Sequence, residues 1–130
     1  MRYLLDVNAL IALGFADHGF HSRIVRWVET ENFPSLLTCS ITEIGFVRVL
    51  AQAPAYGYSA TEAQNLLLRL KQNTRLPIEF IADGNDISSL PKWVKTPKQI
   101  TDGHLAQLAR ENSAILATFD GRIPSVCHIP

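Results

Sequence analysis

The chain has 130 residues, 47% of them hydrophobic and 18% charged, which suits a single globular domain with its own core. Twelve basic residues balance twelve acidic ones, so no global field draws the chain to nucleic acid, and any such binding needs a local patch. The two cysteines, Cys39 and Cys127, form neither a C-x-x-C pair nor a disulfide framework, and both read as reduced thiols of a cytoplasmic protein.

Taken in order, "YLLDV" reads as a buried strand. Arg2 and the apolar run after it imitate a signal peptide, but Asp6 and Asn8 interrupt the run and no A-x-A site follows, so none is expected. "NALIALGFA" starts a helix that Asp17 to Gly19 breaks. Ile24, Val25, Trp27 and Val28 lie on one side of a second helix ending near Glu31. "SLLTC" is a short strand, and "SITEIGFVRVLAQ" is a helix that stops before Pro54. "SATEAQNLLLRLKQN" is another helix, with Ala63, Leu66, Leu67 and Leu70 at helical spacing. "PIEFIA" is a strand, "TDGHLAQLARENS" a helix, "AILATF" a strand and "VCHI" a short terminal strand. No apolar run reaches about 18 residues, so no transmembrane helix is expected. Repeats and long linkers are lacking, and residues 1–130 read as one domain. Strands that are apolar throughout, separated by helices, predict a parallel sheet covered on both faces.

In such sheets ligands bind outside the carboxyl ends of the strands. Asp6 and Asp120 each end an apolar strand. Glu43 and Asp102 sit in the first turns of helices, which face the same edge. Each acid also has a plain structural reading. Glu43 could close a capping box with Ser40, as Glu62 could with Ser59. Asp102 could complement a helix dipole, with Thr101 as cap. Asp120, before Gly121, could be a turn residue, and Asp83 before Gly84 reads as one. Asp6 has no Gly or Pro beside it and resists that explanation.

Together, four carboxylates converging on one pocket point to a divalent cation. Two such charges about 6 Å apart repel by roughly 3 kcal/mol at an effective dielectric near 20. Such pairs need a cation or a proton to coexist. No His and Cys cluster offers a zinc site, and all-oxygen ligands favour Mg²⁺ or Mn²⁺. The matching chemistry is metal-assisted phosphodiester hydrolysis.

The set Asp6-x-Asn8, Glu43, Asp102 and Thr118-x-Asp120 resembles the motifs of PIN-domain nucleases, and within them the VapC-type toxins of toxin–antitoxin pairs. The resemblance covers nearly the whole chain, from "LLDVNALIAL" through "SITEIGFVRVL" and "TDGHLAQLA" to "ILATFD". It implies a doubly wound, three-layer α/β/α sandwich around a mainly parallel sheet, dependence on Mg²⁺ or Mn²⁺, and endoribonuclease activity. It also implies a homodimer inhibited by a cognate antitoxin protein. Carried over by position, Asp6, Glu43, Asp102 and Asp120 are the catalytic, metal-binding acids, and Asn8 and Thr118 are supporting polar residues. The stretch "DGRIPS" departs from the family's usual continuation to an aromatic residue.

Other features are weighed beside that set. Lys92, Trp93, Lys95 and Lys98 precede Asp102 and, with Arg122, could contact RNA; the alternative is a solvated loop whose tryptophan packs on the domain. Arg69, Lys71 and Arg75 read as a solvated helix face, and His104 as a locally bonded residue. Two other functions stand beside the nuclease. One is a non-catalytic PIN-like RNA- or protein-binding module. The other is a phosphatase using Asp6 as nucleophile, disfavoured because Asn8 stands where a second acid is needed.

Overall fold

The computed structural model describes all 130 residues. Five strands, β1 (Arg2–Leu5), β2 (Ser35–Thr38), β3 (Ile78–Phe80), β4 (Ile115–Thr118) and β5 (Cys127–His128), form one sheet in the order β3-β2-β1-β4-β5. Every pairing is parallel, with Tyr3 opposite Leu36 on one side and opposite Ile115 on the other. The helices are α1 (Val7–Gly14), α2 (His21–Thr30), α3 (Ser40–Gln52), α4 (Ala60–Lys71) and α5 (Ile100–Glu111). Two 3₁₀ turns, Ile87–Ser89 and Pro97–Gln99, lead into α5. None of the helices is long and apolar enough to cross a membrane.

The strands lack a polar face because both faces are covered. Tyr3 and Leu5 pack into one core with Leu10, Trp27, Phe46 and Leu67 from α1 to α4. Leu4 between them points the other way, into a second core with Leu37, Leu116 and the α5 residues Leu105 and Leu108. The result is three layers, with four helices on one face and α5 on the other. From β1 the chain builds outward through β2 and β3, then crosses back to place β4 on the far side of β1. That reversal opens a crevice at the carboxyl ends of β1 and β4.

Two glycines allow the close packing that sets helices beside this edge. A Cβ on Gly45 of α3 would lie 2.5 Å from Val7 Cγ2 at the start of α1. A Cβ on Gly103 of α5 would lie 2.2 Å from Val94 Cγ2 in the preceding loop. Each follows a candidate acid by one or two residues, so the acid's backbone is fixed by a contact only glycine permits.

Helix starts decide between the readings that spacing left open. Cys39 leaves the strand and becomes the N-cap of α3; the Thr42 hydroxyl donates to Cys39 O at 3.1 Å and accepts the Cys39 N–H at 3.0 Å. Ser40 is already helical, so no box forms between Ser40 and Glu43, and the Glu43 side chain is left for another use. The Ser59 and Glu62 box does form, with bonds of 3.0 and 3.1 Å. Helix α5 begins at Ile100, which puts Thr101 inside it and not at its cap.

Candidate active site

Asp6 links β1 to α1. Its backbone N–H extends the ladder to Ala117 O at 2.9 Å, and its side chain caps α1 by accepting the Val7 N–H at 2.8 Å. The other carboxylate oxygen accepts the Thr118 hydroxyl at 2.8 Å. Asp6 is only 7% exposed, and burial pushes its carboxyl above the usual carboxylate range despite those two bonds. The nearby charge of Asp120 pushes the same way.

Thr118, at the end of β4, is fully buried. Its hydroxyl donates to Asp6 and accepts from Asn8 Nδ2 at 3.2 Å and from the Asp120 N–H at 3.0 Å. One donor and two acceptor positions are thereby all used. Asn8 Oδ1 in turn accepts the Phe119 N–H at 3.1 Å. Asn8 and Thr118 thus lock the end of β1 to the end of β4 and hold the Asp6 side chain.

Asp102 lies in the first turn of α5, half-buried. Burial and then the charges of Asp6 and Asp120 raise its carboxyl, and Arg122 opposes them. Asp6, Asp102 and Asp120 therefore share one electrostatic neighbourhood. Asp120 has a partner of its own: Arg122 bonds both carboxylate oxygens at 3.0 Å and holds the Asp120 carboxyl below the usual range. Arg122 remains 86% exposed, so it is a surface arginine that nevertheless covers a candidate acid. A hollow of about 190 Å³ is lined by Asp102 and Asp120, with Trp93, Lys98 and Arg122 among its other walls. Trp93 also packs on the α5 core, Lys92 lines a different hollow beside Arg110, and Lys95 is exposed.

Glu43 stands elsewhere on the same edge. Its Oε2 accepts the Thr38 hydroxyl at 2.6 Å and the Lys71 ammonium at 2.6 Å. It lines a groove of about 480 Å³ between α3 and α4, with Ile44, Val47, Leu67 and Leu68, and not the hollow of Asp102 and Asp120. The structure thus gathers three of the four acids and sets the fourth apart with a cation. As the side chains are disposed, no three acidic, His or Cys groups share ion-binding distance.

Two contacts differ from the sequence reading. Lys71 is not a solvated-face residue: it ends α4 over the sheet edge, about a quarter exposed and paired to Glu43. His104 bonds Asp83 across 21 residues, so neither is only local, and the pair ties α5 to the segment after β3. An acid directly after a strand was the available signal for Asp83. For Lys71 there was none, because its partner lies 28 residues away.

The PIN domain pattern matches residues 3–129, and the chain belongs to that family. Among its relatives, it is 38% identical over 131 residues to Ribonuclease VapC44 of Mycobacterium tuberculosis, covering 95% of this chain and 89% of that protein. It is 36% identical over 127 residues to Ribonuclease VapC38 of the same organism, covering 92% and 86%. The fold matches the crystal structure of M. tuberculosis VapC20, described as a sarcin-ricin loop cleaving toxin, with a TM-score of 0.66 at 12% identity over 98% of both chains. It also matches VapBC2 from Rickettsia felis bound to a DNA fragment from their promoter, with a TM-score of 0.64 at 15% identity over 98% of this chain and 96% of that one.

Proposed function

We propose that this protein is a divalent-metal-dependent endoribonuclease, the toxin of a toxin–antitoxin pair, working in the cytoplasm. One observation carries the reading: Asp6, Asp102 and Asp120 lie at the β1/β4 crevice, where burial and then neighbouring carboxylates raise Asp6 and Asp102 while Arg122 holds Asp120 down. Membership of the PIN family and kinship to proteins named ribonucleases support it.

The donor set fits a hard cation. Three carboxylates supply only oxygen, and their mutual repulsion is what a Mg²⁺ or Mn²⁺ ion relieves. Asp6, Asp102 and Asp120 would hold it; bound there, the ion supplies an acidified water and offsets charge on the phosphate oxygens. The chain's own residues do the rest. Asp6 keeps one orientation because Val7 and Thr118 occupy its two oxygens. Glu43, oriented by Thr38 and Lys71, accepts a hydrogen bond from water on the other flank. Lys98 and Arg122 at the rim bring positive charge to an RNA backbone despite zero net charge. The apolar groove between α3 and α4 supports a cognate antitoxin as protein partner, and the family resemblance supports a homodimer as the working unit.

The test is cleavage of a panel of structured RNAs by the purified protein, in Mg²⁺, in Mn²⁺ and with chelator. Ion-dependent internal cleavage that Asp6→Asn abolishes is the expected result. RNA binding without cleavage, even in Mn²⁺, would instead make this a non-catalytic module.

A further inference from the structure

Lys71 sits where the reaction can feel it, yet no motif points to it. Two groups from two elements meet its ammonium, and a third supports the first of them. Glu43 of α3 accepts from it at 2.6 Å, on the same oxygen that accepts the hydroxyl of Thr38 from β2. The ring of Phe80, at the end of β3, lies 5.4 Å away by its centroid. Thr38 and Phe80 are register partners, so the ammonium is held over the carboxyl ends of two adjacent strands. Lys71 and Glu43 are 23% and 22% exposed, unlike the Arg2 to Glu79 pair at 36% and 59%. A lysine serving only the C-terminal dipole of α4 would have no need of this setting.

We infer that Lys71 is a positioning residue: with Thr38 it holds Glu43 apart from the three aspartates, as a water-orienting group and not a metal ligand. This rests on the proposed nuclease reading. Glu43 Oε2 already accepts two short bonds, one from a largely buried ammonium, and has little to gain by turning to a second cation, whereas the Arg122 that pairs with Asp120 is 86% exposed and screened by water. Its other oxygen stays available for water. The charges acting on Asp102 are those of Asp6, Asp120 and Arg122, which agrees with Glu43 standing outside their group.

The experiment compares wild type, Lys71→Met, Lys71→Arg, Glu43→Gln and Asp102→Asn. Each is measured for thermal unfolding, for Mn²⁺ binding without RNA, and for kcat and KM on RNA. Lys71→Met and Glu43→Gln are expected to lower kcat by about tenfold or more, with KM and Mn²⁺ affinity within roughly twofold of wild type. Lys71→Arg is expected to recover most of the lost kcat, and Asp102→Asn to lose Mn²⁺ binding. Weaker Mn²⁺ binding in Glu43→Gln would overturn the inference, since Glu43 would then be a ligand. So would wild-type kcat in Lys71→Met, or a rise in KM alone, which would mean Lys71 touches RNA. If Lys71→Met unfolds, Lys71→Arg and Glu43→Gln still decide. Wild-type protein that cleaves no RNA would overturn the nuclease reading itself, and the role of Lys71 with it.

Discussion

The two flanks of the sheet edge follow the same grammar, a strand followed by an acid near a helix start, and reach opposite electrostatic ends. On the β2 flank, Glu43 has a lysine and a threonine on one oxygen. On the β1/β4 flank, Asp6 has only neutral donors, Asp102 feels two like charges before any cation, and Asp120 is paired only with the exposed Arg122. A carboxylate compensated within the fold is poised to orient something else. Carboxylates left uncompensated are poised to take a cation from outside. On the proposed reading, carboxylates with different partners would serve two tasks along one edge.

The hardest break in that comparison is Asp6→Asn. It should leave a folded protein and lower cleavage on the order of 10³-fold, measured in single-turnover assays, because one charged donor of the uncompensated flank is gone. Gly103→Ala should come next. Its Cβ meets a branched side chain at 2.2 Å, and overpacking of this kind costs about 1–3 kcal/mol in denaturant unfolding. Activity should fall with stability, since α5 carries Asp102. Thr118→Val keeps the shape but strips Asp6 and the Asp120 N–H of a partner, at about 1–3 kcal/mol of stability. Thr38→Val on the other flank should cost less, because Lys71 still holds Glu43.

The smallest effect has the most telling sign. Asp102 titrates above its unfolded value, so the folded state binds its proton more tightly. Its contribution therefore falls as pH rises through the carboxylate range and is unfavourable at neutral pH. Asp102→Asn should slightly raise the Tm of metal-free protein at pH 7, and the gain should vanish at acid pH, where Asp102 is already neutral. A variant less stable at pH 7 would show that Asp102 is compensated after all.

Much of this architecture was legible from residues alone. Apolar runs with no polar face announced strands buried on both sides, and β1 to β5 all lie within or against the stretches that read as strands. Asp6 stood out because a lone carboxylate in a core segment needs a partner. The cap of α3 was not legible: Ser40 and Glu43 have box spacing, but Cys39 and Thr42 make the cap, and the choice depends on where β2 ends. The bond between His104 and Asp83 was likewise hidden, since each has an adequate local explanation.

The order of elements, the two-faced sheet and the acids at its carboxyl edge follow from the residues alone, because hydrophobic period and strand-end position are local properties of the chain. Which acids share a field, and that Glu43 pairs with a distant, largely buried cation, emerged only on folding. Asp6 meets Thr118 across 112 residues and Glu43 meets Lys71 across 28, and Coulomb energy depends on distance through space, to which sequence separation is blind.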